Sequence, residues 1–100
     1  MIKQLKPTEI YLTNGVNSLI QEGILEKFGV IECITRFNNL DFGELSELDA
    51  KYQLKILKND NKNLERLMGV YEVDGIKIWE ILDYYSREKK VLTVLLPEEY

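Results

Sequence analysis

The chain has 100 residues, of which 45% are hydrophobic and 30% charged, and its formal net charge at pH 7 is −4. This balance predicts a globular domain and excludes a wholly disordered chain. There is no histidine, which excludes Ser–His and Cys–His nucleophile pairs. The acidity argues against direct nucleic-acid binding, because such binding depends on Lys and Arg contacts to phosphate.

The domain is predicted to span residues 1–100, with residues 1–8 as a flexible N-terminal segment. No apolar run is long enough to cross a bilayer, and the start lacks the apolar core of a signal peptide, so no membrane association is expected. Cys33 is the single cysteine. It rules out an internal disulfide, favours a reducing, cytoplasmic location, and is expected to be a buried, inert thiol.

The N-terminal half begins with a short predicted strand at residues 9–12. The hydroxyl of Thr13 suits the N-cap of a helix, since it can accept a hydrogen bond from an amide of the first turn. Apolar residues then recur at helical spacing, and Gly23 is expected to end this first helix.

A second helix is predicted over residues 30–37, with Ile31, Ile34 and Phe37 on its buried face. Residues 38–43 are predicted to form a loop. The second helix and the first are therefore expected to contribute one apolar face each to the core.

Ser46 is predicted to cap a third helix, with Asp49 at capping-box spacing. The residues expected to form its buried stripe are Leu48, Tyr52 and Ile56. An exposed basic ridge is predicted at Lys51, Lys55, Lys58 and Lys62. The polar residues 59–63 are expected to end the helix in a turn.

The second half predicts a β-hairpin, because Asp74-Gly75 favours a two-residue type I′ turn. The pairs that follow from this turn are Val73 with Ile76, Glu72 with Lys77, Tyr71 with Ile78 and Val70 with Trp79. A further strand is predicted at residues 91–96, ended by Pro97. The order predicts an α+β fold with an N-terminal short strand and two to three helices packed on a three-stranded antiparallel meander.

A run of carboxylates between residues 41 and 49 is the first candidate binding site. Its acids are Asp41, Glu44, Glu47 and Asp49, and no base lies among them in the sequence. The cluster is compatible with a basic protein partner, and the alternative is a solvated helix start. It lacks the EF-hand pattern and the glycines form no nucleotide-binding fingerprint, so no metal and no cofactor are expected.

A second, weaker candidate is the aromatic and C-terminal set. Its members are Tyr71, Trp79, Tyr84, Tyr85, Glu98, Glu99 and Tyr100. Tyr and Trp are enriched at protein-binding hot spots. The alternative is core packing, which is favoured for Trp79.

Four stretches of the sequence share one known pattern: TNGV (13–16), ITRFNNLDFGEL (34–45), GVYEVDGIKIW (69–79) and VLTVLLPEEY (91–100). Together they resemble a family of short proteins encoded on bacterial plasmids, phages and other mobile elements, often labelled as type I restriction methylase subunits. The family pattern includes T-P-G-A, G-D-W-G-D and a closing L-L-P-E-E-Y. Phe37 stands where the family carries histidine, and Phe42 where it carries tryptophan.

The resemblance implies a bacterial host and a mobile-element setting. The leading hypothesis is a non-enzymatic anti-defence protein, of the anti-CRISPR or antirestriction type, that binds a basic surface of a nucleic-acid-processing effector. One alternative is a maintenance or conjugation accessory protein that binds an element-encoded partner. The other is a small metal-dependent enzyme. No catalytic residue is expected, and the sequence leaves the oligomeric state open.

Overall fold

A computed structural model describes residues 4–58, 66–86 and 88–100 of the chain. Four strands, three helices and a closing 3-10 turn follow one another in this part. They are β1 (Glu9–Leu12), α1 (Asn14–Gln21), α2 (Lys27–Asn38), α3 (Glu47–Lys58), β2 (Leu67–Val73), β3 (Ile76–Tyr84), β4 (Lys90–Leu95) and the 3-10 turn Pro97–Glu99. The α+β class predicted from the sequence is confirmed.

The four strands form one sheet in the order β1-β4-β3-β2. Strands β2, β3 and β4 form the predicted antiparallel meander. The prediction did not include a place for β1 in the sheet: it pairs parallel to β4, from Glu9 opposite Val91 to Leu12 opposite Val94. A parallel neighbour needs a long connection, and nearly the whole chain separates these two strands. The sheet is therefore mixed.

The β2–β3 hairpin has the predicted register, from Val73 opposite Ile76 to Val70 opposite Trp79. Asp74 and Gly75 both have positive φ, 54° and 78°, as a type I′ turn requires. Glycine adopts this conformation without steric cost, and aspartate tolerates it better than most residues.

One face of the sheet is packed under the helices. The central strand side chains that point to this face are fully buried, and they include Tyr71, Ile78, Leu82, Leu92 and Val94. They belong to two apolar clusters, one around Phe37 and Leu57 and the other around Val16 and Val30. Both clusters draw residues from α2, so this helix joins the two parts of the core.

The N-terminal segment, expected to be flexible, is anchored over residues 4–8. The side chain of Leu5 is 1% exposed and lies in the first cluster. Its backbone amide donates to the Asn38 carbonyl at 3.0 Å, and the Thr8 amide donates to the Lys90 carbonyl at 2.8 Å. Residues 4–8 are therefore attached to the end of α2 at Asn38 and to the start of β4 at Lys90.

The buried face of α2 matches the predicted one only in part. Phe37 is buried as predicted, and Ile34 is a half-buried side chain that packs against the core. Ile31 is 44% exposed, and Val30 and Cys33 are buried instead. The predicted residues are three positions apart, so on a helix of 3.6 residues per turn each side chain points further around the helix axis than the one before it. The observed residues follow at steps of three and then four, which keeps them within a narrower sector.

The buried face of α3 was also predicted wrongly. Leu48 is 81% exposed and Tyr52 is exposed too, whereas Gln53 and Leu57 are buried. The Gln53 amide nitrogen donates to the Met68 carbonyl at 3.0 Å, and its amide oxygen accepts from the Met68 amide at 2.8 Å. The helix therefore docks against the outer edge of β2, where Gln53 takes the place of a neighbouring strand. Lys51, Lys55 and Lys58 are exposed, and Lys62 and the turn at 59–63 lie outside the described residues.

Replacing Gln53 by alanine should lower the free energy of unfolding by about 1–3 kcal/mol, because two partly buried backbone groups of Met68 lose their partners. Urea denaturation measures this loss. The matched control is Gln21→Ala on α1, where the glutamine is exposed and the change should be within about 0.5 kcal/mol. Equal unfolding free energies for the two variants would contradict the role assigned to Gln53.

A candidate protein-binding surface around residues 41–49

The acidic segment, residues 41–49, is less uniformly negative in space than in sequence. The Asp41 carboxylate accepts from the Arg36 guanidinium at 2.8 Å, and Glu44 pairs with Lys77 of the hairpin. Glu47 pairs with Lys51 one turn along α3, at 3.3 Å. Three of the four clustered acids thus have a basic partner in space, although no base lies among the acids in the sequence.

Asp41 is held more tightly than the other acids of the segment. Its carboxylate also accepts from the Gly43 amide at 3.0 Å, and its carbonyl oxygen accepts from the Tyr71 hydroxyl at 2.6 Å. The Arg36 guanidinium lies 5.1 Å from the centre of the Tyr71 ring. The hydrogen bond from Arg36 lowers the pKa of Asp41, while partial burial opposes this effect. Asp41 therefore stabilises the fold.

The backbone of the acidic segment is bonded to the outer edge of β2. The Val70 amide donates to the Phe42 carbonyl at 3.0 Å, and the Glu44 amide donates to the Val70 carbonyl at 2.6 Å. Gly43 bridges Val70 with a φ of +69°, and a Cβ there would collide with the Val70 carbonyl oxygen. Together with Gln53, the segment supplies hydrogen-bond partners for backbone groups at the edge of β2. A strand edge without such partners can pair with another chain.

Glu47 and Asp49 are exposed acids at the C-terminal end of the segment. Both lie in the first turn of α3, where the helix dipole favours negative charge. The Ser46 hydroxyl accepts from the Asp49 backbone amide at 3.2 Å, as predicted for an N-cap, and leaves the Asp49 carboxylate facing solvent. These two side chains can meet a partner without loss of a buried contact.

The aromatic set divides into a buried and an exposed part. Tyr71 is 1% exposed, so it lies out of reach of a partner and the prediction of a binding role for it is corrected. Tyr84 is half-buried against the first cluster. Trp79 is half-buried and packs edge-on against Tyr100 with ring centres 5.6 Å apart, while Tyr85 is exposed beside Lys89.

The two C-terminal glutamates have different environments. The Glu99 carboxylate accepts from the Thr13 hydroxyl at 2.6 Å, from the Leu96 amide at 2.9 Å and from the Gly15 amide at 3.0 Å. Burial raises the pKa of Glu99, but these hydrogen bonds outweigh it and hold the pKa below its ordinary value. Glu99 therefore caps α1, next to the N-cap Thr13, whereas the Glu98 side chain is exposed.

Glu80 is a candidate functional residue that was not predicted from the sequence. It lies in the middle strand β3, is 0% exposed, and neither carboxylate oxygen has a hydrogen-bond partner in the described part of the chain. Burial raises its pKa to about 8, and the charge of Arg36 partly opposes the shift. The signal was present, because strand alternation puts Glu80 on the same face as Ile78 and Leu82.

Cys33 lies on α2 near this carboxyl group and is buried. Burial is the main cause that raises the pKa of its thiol to about 11, and the charge of Glu80 adds to it. The thiol is thus protonated at neutral pH, and protonated thiols are poor nucleophiles. Among residues 4–58, 66–86 and 88–100, no three His, Cys, Asp or Glu side chains gather as a metal site requires.

The helices of the described ranges are all too short or too polar to cross a membrane. The fold and the site define a small α+β protein with one mixed sheet. Helices cover one face of this sheet, and hydrogen bonds from α3 and the acidic segment occupy its outer edge at β2. Comparison of the chain with protein-family models, with curated proteins and with solved structures found no match in any of the three.

The free energy of unfolding should fall as the pH rises from about 5 to 8, by up to about 1.4 kcal/mol per pH unit. Glu80 has a higher pKa folded than unfolded, so in this window the folded state binds the extra proton, and stability is lost as the pH rises. The absence of histidine removes the side chain that usually titrates there.

Urea denaturation across this range of pH measures the slope. Glu80→Met should flatten it and raise stability at pH 8, while the control Glu72→Gln, an exposed acid of β2, should retain it. A slope that survives in Glu80→Met would show that another group carries the pH dependence.

Replacing Glu99 by alanine should destabilise the protein by about 1 kcal/mol, since α1 loses a partner for its first-turn amides. Its neighbour Glu98 supplies the control, because Glu98→Ala removes the same side chain from an exposed position. Thermal unfolding of the two variants compares them. Similar midpoints would mean that the Glu99 contacts contribute nothing measurable.

Proposed function

We propose that this protein is a non-enzymatic inhibitor from a bacterial mobile genetic element, which acts in the host cytoplasm by binding a basic surface of a nucleic-acid-processing effector. CRISPR and restriction effectors are the targets that fit the resemblance described above. The interaction is between proteins, and the bound surface is one that ordinarily holds nucleic acid.

The exposed carboxylates of Glu47 and Asp49 are the observation that carries this proposal. They stand at the first turn of α3, and the segment before them is fixed to β2 by the hydrogen bonds of Phe42 and Glu44 with Val70. A backbone that is fixed before binding loses little conformational entropy when a partner arrives. The single base beside Glu47 is Lys51, in a solvent-exposed pair that contributes little and exchanges easily for a partner's base.

The net charge of the protein is consistent with binding to a small basic patch on the effector. A net charge of −4 is small beside the charge of a DNA duplex, which carries one phosphate for about every 1.7 Å of its axis. The protein therefore covers a limited basic patch and does not imitate a long duplex. Electrostatic attraction of this kind speeds association and weakens as salt is added.

The test is a DNA-cleavage assay with purified CRISPR and type I restriction effector complexes. The double variant Glu47→Lys and Asp49→Lys should raise the half-inhibitory concentration by at least about tenfold, since each reversal turns an attraction into a repulsion. Both positions are exposed, and within the described residues neither carboxylate makes a buried contact. Lysine in the first turn of α3 opposes the helix dipole and should lower the free energy of unfolding by up to about 1 kcal/mol per position, so the fold should be retained. Thermal unfolding verifies this.

The control variant carries the same change in charge at Glu72→Lys and Glu88→Lys, two exposed acids outside the acidic segment. It should inhibit nearly as well as the parent. Equal loss in both double variants would indicate an effect of net charge alone and would contradict a specific site. Failure of the parent to inhibit any effector would reject the proposed function.

A further inference from the structure

The outward face of α2 carries apolar side chains where a solvated helix usually carries polar ones. Phe28 is 74% exposed and Ile31 is 44% exposed, and their spacing of three residues puts them side by side on the helix surface. Ile24, in the connection from α1, is 52% exposed. We refer to Ile24, Phe28 and Ile31 as the α2 surface.

Acidic side chains accompany the α2 surface along the chain. Glu22, Glu26 and Glu32 are exposed, and within the described residues none of them forms an ion pair, unlike Asp41, Glu44 and Glu47. The one base in the same stretch is Lys27. Within the described residues, acids without an ion-pair partner therefore lie in this stretch as well as in the acidic segment.

The start of α2 is fixed to the hairpin tip. The Glu26 backbone amide donates to the Asp74 carboxylate at 3.0 Å. Gly29 lies so close to Val73 that a Cβ at this position would be 2.5 Å from a Val73 methyl carbon. Val30 and Cys33, on the opposite side of the helix, are buried. The α2 surface is thus held in one geometry before any partner arrives.

We propose that the α2 surface is the anchor by which the protein docks on its target, and that the target presents an apolar pocket rimmed by Lys and Arg. An exposed aromatic residue flanked by an aliphatic one, with charged residues around them, has the composition of a binding hot spot with a polar rim. This inference rests on the proposed function and names the chemistry of the partner surface.

Charge complementarity favours a basic protein surface over a second copy of the chain, a membrane or a nucleic acid as the partner of the α2 surface. A second copy of the chain would bring Glu22, Glu26 and Glu32 against the same three acids, with only Lys27 of each copy to offset them. Like charges brought together oppose binding. An anionic membrane or a nucleic acid would be repelled for the same reason. A basic protein surface pairs with the acids while its pocket takes up Phe28.

The probe is a synthetic amphipathic helical peptide of leucine and lysine, compared with the same leucine pattern in which glutamate replaces lysine. The lysine peptide should bind and shift backbone amide resonances between residues 24 and 32, with an affinity that falls as salt is added. Phe28→Ala and Ile31→Ala should each weaken binding, and together by at least about tenfold. Fluorescence anisotropy measures the dissociation constants.

Leu54→Ala is the matched control, because Leu54 is an aliphatic side chain of α3, 42% exposed, that lies outside both the acidic segment and the α2 surface. It should bind the lysine peptide as the parent does. The inference is overturned if the glutamate peptide binds equally well or if Leu54→Ala loses as much affinity as Phe28→Ala. It is also overturned if the chain forms a dimer that Phe28→Ala dissolves.

The cleavage assay separates this inference from the proposed function. If the parent inhibits an effector and the Phe28→Ala, Ile31→Ala double variant inhibits it equally, the docking inference fails and the proposed function stands. If the parent inhibits no effector but binds the lysine peptide through Phe28, the α2 surface is supported and the proposed function is rejected.

Discussion

The outer edge of β2 is the constraint on which much of this structure depends. The backbone groups of Met68 and Val70 point away from the sheet, and an edge left open is costly when buried and prone to pairing with other chains when exposed. Gln53 satisfies Met68, and the backbone of the acidic segment satisfies Val70. These bonds place α3 and the acidic segment at the sheet edge, and with them the acids that pair with Arg36 and Lys77.

The interior beside this edge contains an unusual polar group. Glu80 faces the helices from the middle strand. The charge of Arg36 acts on it, and the charge of Glu80 in turn raises the pKa of Cys33 and of Tyr71. A buried carboxyl group is far less costly when neutral than when ionised. Arg36 nevertheless bonds Asp41, so the strongest nearby cation fixes the acidic segment and leaves Glu80 protonated near neutral pH.

Local chemistry in the sequence predicted the local structure. The Asp74-Gly75 turn gave the hairpin register, and the Thr13 and Ser46 hydroxyls marked two helix starts. The errors concern contacts between distant parts of the chain. A glutamine at a helix position predicts exposure, and only the position of β2 shows why Gln53 is buried. The pairing of β1 with β4 and the partners of Asp41 and Glu44 likewise depend on the tertiary fold.

The same distinction decides which charges can serve binding. Asp41 and Glu99 belong to a list of acids that looks uniform in sequence, yet their carboxylates complete hydrogen bonds of the fold. A partner that drew them away would have to replace those bonds. Glu22, Glu26, Glu32 and Asp49 make no such side-chain bond in the described part of the chain, so contact with a base leaves the fold unchanged. A surface that binds through these acids and through Phe28 can therefore be tuned by substitution without loss of the sheet beneath it.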